Sequence, residues 1–182
     1  MRIVVGLGNP GEQYSGTRHN VGFDFVEALR VAVAAPAWQS VGKTQALVSK
    51  TPDWLLIQPQ AFMNQSGLAV RGVLDFYLKY GSLSETAQLE LLRNCFVAHD
   101  DLDLQLGKIK LQLGRGPKIH NGLLSLYNHL ASEQFWHVRL GIDGRLPTQR
   151  VAGREYVLQK FMPTERERIN QVISESIQRV MQ

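Results

Sequence analysis

Met1-Arg-Ile-Val-Val-Gly-Leu-Gly-Asn-Pro-Gly-Glu-Gln-Tyr-Ser-Gly-Thr-Arg-His-Asn20 opens the chain, and the rest is organised around it. Ile3, Val4, Val5 and Leu7 form a short apolar, β-branched run that predicts a buried strand. The strand stops at Gly8-Asn9-Pro10-Gly11, where glycine and proline turn the chain. Asn9, Tyr14, Thr17, Arg18, His19 and Asn20 then arrive before the next apolar periodicity. A loop this rich in hydrogen-bonding groups, at the carboxyl end of a buried strand, is where open α/β folds keep their sites.

Gly6-Leu-Gly8-Asn-Pro-Gly11 also fits the dinucleotide pattern G-x-G-x-x-G. That pattern needs a helix starting at the glycines, with its amides on a pyrophosphate. Pro10 biases Asn9 away from helical geometry, and Gly11 to Asn20 has no helical apolar stripe. The acid expected after the second strand is missing from Leu47-Val48-Ser49-Lys50-Thr51. The match reads as accidental.

The remaining elements follow in order. Val21 to Ala35 carries Phe25, Val26, Leu29 and Val33 on one helical face and stops at Pro36. Gln45–Lys50 and Trp54–Gln58 predict a hairpin joined at Thr51-Pro52-Asp53. Asn64 or Ser66 is placed to cap a helix carrying Val70, Val73, Leu74 and Tyr77, ending at Gly81. Leu83–Arg93 suits a short surface helix, and Cys95–Ala98 a buried strand ending in His99-Asp-Asp-Leu-Asp103. Lys108–Leu113 alternates as a half-exposed strand. Leu123–Leu130 reads as a helix that begins through Asn121, Val138–Ile142 as a strand, and the chain from about Thr164 as a final amphipathic helix. Glu155–Phe161 gives no clear pattern. Strands and helices alternate, so the class is α/β: a single domain over 1–182 with a mixed, mostly parallel twisted sheet flanked by helices.

At 182 residues the chain is long enough for one full core. No apolar run approaches the ~20 residues of a membrane span, and no signal segment precedes the first strand. The lone cysteine, Cys95, excludes an internal disulfide and suits the reducing cytoplasm. The net charge of +4 is unevenly spread. No acid occurs between Leu104 and Ser132, where Lys108, Lys110, Arg115 and Lys118 all fall; on charge alone this fits a footprint for a polyanion and a solvated strand edge guarded by lysine equally well.

Asn9 and His19, Asn64, Asp100, and His120 with Asn121 are the polar groups at strand ends and helix starts. A neutral imidazole can take a proton from water near pH 7. A carboxylate on its other nitrogen would set the tautomer and stabilise the imidazolium. Carboxamides can orient a carbonyl or hold an oxyanion. No serine or cysteine sits in a nucleophile elbow, so the set suggests attack by activated water. Each member also has a structural reading as a turn, cap or loop residue. His129 and His137, without carboxylate neighbours in sequence, read as structural. His99-Asp100-x-x-Asp103 invites a metal reading, but it follows a β-type run and lacks further histidines at helical spacing.

The motifs Gly6 to Gly22, Phe62-Met-Asn-Gln-Ser-Gly67, His99-Asp-Asp-Leu-Asp103 and His120-Asn-Gly122 together resemble the bacterial-type peptidyl-tRNA hydrolases, in order over nearly the whole chain. The resemblance implies a monomeric, metal-free and cofactor-free hydrolase that cleaves the ester between a peptide and the tRNA 3′ ribose. It implies His19 as general base and Asp100 as the carboxylate orienting it. Asn9, Asn64 and Asn121 would hold the substrate and the attacking water, with Tyr14 and Met63 lining the cleft. Lys110 and Arg139 would contact tRNA phosphate, which positions without reading sequence. Two departures stand out: Lys118-Ile119 replaces the small residues usual before His-Asn-Gly, and Gln112 replaces a second cation. The rival reading is an RNA-binding protein on the same scaffold that hydrolyses nothing.

Overall fold

The computed structural model describes residues 1–146 and 148–182. Its strands are β1 (Arg2–Gly6), β2 (Gln39–Ser40), β3 (Ala46–Lys50), β4 (Trp54–Pro59), β5 (Cys95–Gln105), β6 (Ile109–Leu113) and β7 (Trp136–Asp143). The helices are α1 (Val21–Ala32), α2 (Ser66–Leu78), α3 (Glu85–Leu92), α4 (Asn121–Leu130), α5 (Gly153–Tyr156) and α6 (Pro163–Met181). The strands form one sheet in the order β2-β3-β4-β1-β5-β7-β6. β4, β1, β5 and β7 run parallel in its centre, and antiparallel partners flank them on both sides. This is the mixed α/β sheet expected from the sequence.

β1 explains why both faces of the sheet must be covered. Its side chains alternate: Ile3, Val5 and Leu7 enter one core, and Val4 enters the other. The first core is roofed by α2 and α4 through Val70, Val73, Leu74, Leu123 and Leu126. The second is roofed by α1 and α6 through Phe25, Val26, Leu29, Ile169, Val172 and Ile173. Cys95 is wholly buried in the first core, where burial pushes its thiol up to about 12. Among the described residues, no helix is long and apolar enough to cross a membrane.

Three boundaries differ from the expectations. β5 does not end at Ala98 but continues through His99-Asp-Asp-Leu-Asp103, because β7 pairs with it in parallel to Asp101 and again, after a register shift, at Gln105. α2 begins at Ser66 after a turn at Met63–Gln65, with no side-chain cap, and stops at Leu78 as Lys79 adopts a left-handed conformation. The cap of α4 is His120, not Asn121.

Gly22 locks the first loop to the sheet. A Cβ there would collide with the carbonyl oxygens of Leu7 and Ala98, so only glycine lets α1 start directly on the ends of β1 and β5.

Candidate active site

β1 ends at Gly6 while its neighbour β5 runs on to Gln105, so the two strands part at their carboxyl ends. This crevice is the usual ligand position of an open α/β sheet. A cavity of about 800 Å³ opens there, lined by Asn9, His19, Phe62, Met63, Asn64, Asp100, Ile119, His120, Asn121, Arg154 and Leu158 among others.

The loop carrying His19 is anchored from the far end of the chain. The backbone amides of Arg18 and His19 donate to the carbonyls of Gln159 and Val157 at 3.0 and 2.8 Å. Arg18 is buried: its Nη2 pairs with Glu165 Oε2 at 2.6 Å, and its guanidinium lies 4.2 Å from the Tyr156 ring centroid. Glu165 also accepts the Met162 amide at the start of α6. The region 156–161, opaque in sequence, therefore acts as the clasp of the loop that carries His19. Nothing local in Arg18 advertises this partner, 147 positions away.

His19 Nδ1 lies 2.7 Å from Asp100 Oδ1. The carboxylate can only accept, so Nδ1 carries the proton and Nε2 keeps its lone pair. Burial works against charge on the imidazole, but the Asp100 charge and hydrogen bond outweigh it, and the His19 pKa is raised above 6.5. Asp100 is likewise penalised by burial, yet the two imidazoles hold it below the usual carboxylate range.

His120 supplies the second of those imidazoles, which sequence reasoning paired only with Asn121. Its Nδ1 accepts the amides of Gly122 and Leu123 at 3.1 and 3.3 Å, capping α4. The proton must then sit on Nε2, which donates to Asp100 Oδ1 at 3.0 Å. An N-cap position before a helix was visible in sequence, but histidine is an uncommon cap and gave no signal.

His19, Asp100 and His120 are also close enough to suggest a metal cluster, their donor atoms lying within 4.8 Å of one another. The hydrogen bonding opposes this. His120 has committed its lone pair to the helix amides and its proton to Asp100, so it cannot ligate without uncapping α4. The set is built as a proton-holding cluster.

The carboxamides divide by environment. Asn9 is buried; its Oδ1 accepts the Met63 amide at 2.8 Å, and its backbone exchanges two bonds with the Asn20 side chain. It thus pins the Met63–Asn64 turn against the first loop, while its Nδ2 has no partner among the described residues. Asn64 and Asn121 are exposed at the cavity wall. Met63 lines the cavity. Tyr14 packs edge-on to Phe62 at 6.5 Å instead, one layer behind the wall.

Two further histidines lie beneath the site. His99 Nδ1 donates to the Asp100 carbonyl at 2.9 Å, and His137 Nδ1 meets His99 Nε2 at 3.3 Å. Burial and neighbouring imidazoles hold His99 well below 6.5; burial and the nearby Arg139 bring His137 to about 4. Both stay neutral near pH 7; His99 supports the β5 backbone beyond the end of β1, and His137 backs the His99 ring.

The cationic residues also divide. Lys110 is exposed on β6, directly across from Arg139 on β7. Arg139 is only 6% exposed: its Nε donates to Asp101 Oδ2 at 2.6 Å and its Nη1 to Gln112 Oε1 at 2.7 Å. Together with Arg115 and Lys118 they surround a second, smaller hollow beside the cavity.

The family model described as peptidyl-tRNA hydrolase matches residues 3–182. Peptidyl-tRNA hydrolase from Nitrosomonas europaea is 39% identical over 182 residues, covering 98% of this chain and 86% of the relative. That from Halalkalibacterium halodurans is 37% identical over 177 residues, covering 95% and 88%. Peptidyl-tRNA hydrolase from Acinetobacter baumannii superposes with a TM-score of 0.82 at 29% identity, over 100% of this chain and 87% of that one. With sequence and fold matched end to end, the chain belongs to the peptidyl-tRNA hydrolase family.

Proposed function

We propose that this chain hydrolyses the ester joining a peptide to the 3′ ribose of tRNA, using water activated by His19 and Asp100. The observation that carries this reading is the 2.7 Å contact between His19 Nδ1 and Asp100 Oδ1 at a cavity wall that also holds three carboxamides. His19 Nε2 takes a proton from water as the water oxygen bonds to the ester carbonyl carbon. The carbonyl oxygen becomes an oxyanion, and the carboxamide donors of Asn9, Asn64 and Asn121 are suited to hold it and to orient the attacking water. Collapse breaks the bond to the ribose oxygen, which takes the proton back from His19. The products are a free peptide carboxyl group and a tRNA 3′-hydroxyl. Asp100 stays ionised throughout and stabilises the imidazolium, which the donor from His120 helps it do.

Met63 lines the peptide path, and Tyr14 supports it through Phe62. Lys110 meets tRNA phosphate directly. Arg139 contributes from within its pair with Asp101. The reading extends to one domain over the full chain, acting as a monomer in the cytoplasm, in keeping with a single cysteine buried in the core.

Release of N-acetyl-aminoacyl groups from tRNA by the purified protein tests the proposal. His19→Ala should abolish release while the chain still folds, its melting lowered by loss of the Asp100 contact. Undiminished turnover in that variant would refute the mechanism, and tRNA binding without turnover by the unmodified protein would favour a binding protein instead.

A further inference from the structure

We infer that Ile119 is a packing surface for the 3′-terminal nucleoside of the tRNA, an inference that rests on the hydrolase reading above. Ile119 is 89% exposed, more than any other large apolar side chain among the described residues. Its backbone is nevertheless held on both sides. The Lys118 amide donates to Asp103 Oδ2 at 3.2 Å, and the His120 ring is fixed by Asp100 and the first amides of α4. Ile119 shares its cavity wall with Phe62 and Leu158, themselves 56% and 47% exposed, so it belongs to an apolar patch and is not an isolated surface side chain, and such a patch on a clamped backbone marks a contact surface.

The position of this side chain says what it contacts. Lys118 lines the cationic hollow with Lys110, Arg115 and Arg139, where Asp103 is the one acid and its carboxylate already accepts the Lys118 amide. Ile119, the next residue, lines the cavity of His19 and Asp100. The two residues form the ridge between a phosphate-binding surface and the reacting centre. A polynucleotide with phosphates in the hollow must cross this ridge to bring its ester to His19. Between the last phosphate and the ester of a peptidyl-tRNA there is one nucleoside. Its base offers an apolar face suited to a β-branched aliphatic side chain, and the ribose serves only to carry it there. Phe62 and Leu158 line the cavity without adjoining the cationic hollow, which leaves them to the peptide.

The test is a two-by-two comparison of binding. Fluorescence anisotropy would measure the affinity of the unmodified protein, Ile119→Ser and Ile119→Gly for an acceptor-stem RNA hairpin ending in an intact 3′ adenosine. The same hairpin with an abasic 3′ residue is the control. Serine removes the apolar contact while keeping a Cβ, which separates side-chain loss from the added backbone freedom of glycine. Both variants should bind the intact hairpin about fivefold more weakly and the abasic one equally well. Equal weakening of both hairpins, or of neither, would overturn the inference. So would a KM penalty in Ile119→Ser that grows with the size of the esterified amino acid, since the side chain would then belong to the peptide. The hairpin carries no ester, so failure of the unmodified protein to hydrolyse peptidyl-tRNA would count against the hydrolase reading alone.

Discussion

His120 joins helix α4 to Asp100: one ring nitrogen caps the helix, and the other donates to Asp100 Oδ1 at 3.0 Å. The two tasks are separable by substitution. His120→Ala should lose about 1 kcal/mol of stability with the cap and also lower kcat, because Asp100 keeps only the His19 donor. His120→Asn should recover most of the stability, since asparagine is a favourable cap, without recovering kcat. Thermal melts and steady-state rates on both variants check this; recovery of kcat in His120→Asn would show the imidazole acts only through the helix.

The His19–Asp100 contact sets a pH dependence whose sign is determined. Burial alone would lower the His19 pKa, and Asp100 reverses this to a net rise above 6.5. A general base must be neutral, so kcat/KM should rise with pH through an ionisation centred above 6.5. The interaction stabilises the folded protein fully below the unfolded-state value, and its contribution is lost as pH rises through the folded-state value. Asp100→Asn should cut kcat by about 10³- to 10⁴-fold through loss of the correct tautomer. Burial then acts unopposed, and the residual activity should rise through an ionisation below 6.5. A pH profile left unmoved by Asp100→Asn would contradict the assignment.

Lys110 and Arg139 face each other across two strands but should fail differently. Lys110→Ala removes an exposed cation, so stability should change by less than about 0.5 kcal/mol. The slope of log KM against log salt should fall by about one. Arg139→Ala strips the partner from Asp101, which is fully buried. That variant should lose about 3–5 kcal/mol of stability. Chemical denaturation and a salt series of KM values distinguish the two outcomes.

Gly67 carries the α2–α4 contact that holds the Asn64 turn beside His120. Its amide donates to Ser125 Oγ at 3.0 Å, and a Cβ there would strike the Ser125 carbonyl. Gly67→Ala should cost about 1–3 kcal/mol by overpacking and reduce kcat by separating the two helix starts. Unchanged melting would mean the helices can slide apart without loss.

The elements whose packing is local were legible in the residues themselves. The β-branched run of β1, the hairpin of β3 and β4, and the apolar stripes of α1 and α6 each repeat at the period of the structure they form. The polar groups gathered at the cavity were also legible as candidates, since they interrupt those patterns at strand ends and helix starts. β5 was misread beyond Ala98 because His99, Asp100 and Asp101 are buried with polar partners supplied by other elements, which a period-two pattern cannot encode. The helix cap formed by His120, the burial of Arg139 and the clasp of Arg18 on Glu165 left no local trace either.

Sequence by itself determined the α/β class, the alternation that demands helices on both sheet faces, and which residue types could move a proton. Tertiary structure decided which of them meet. His19 and Asp100, 81 positions apart, lie 2.7 Å from each other because β1 and β5 pair in parallel and Gly22 lets α1 close onto their ends. That pairing depends on long-range burial and strand order, and neither is written in the neighbourhood of either residue.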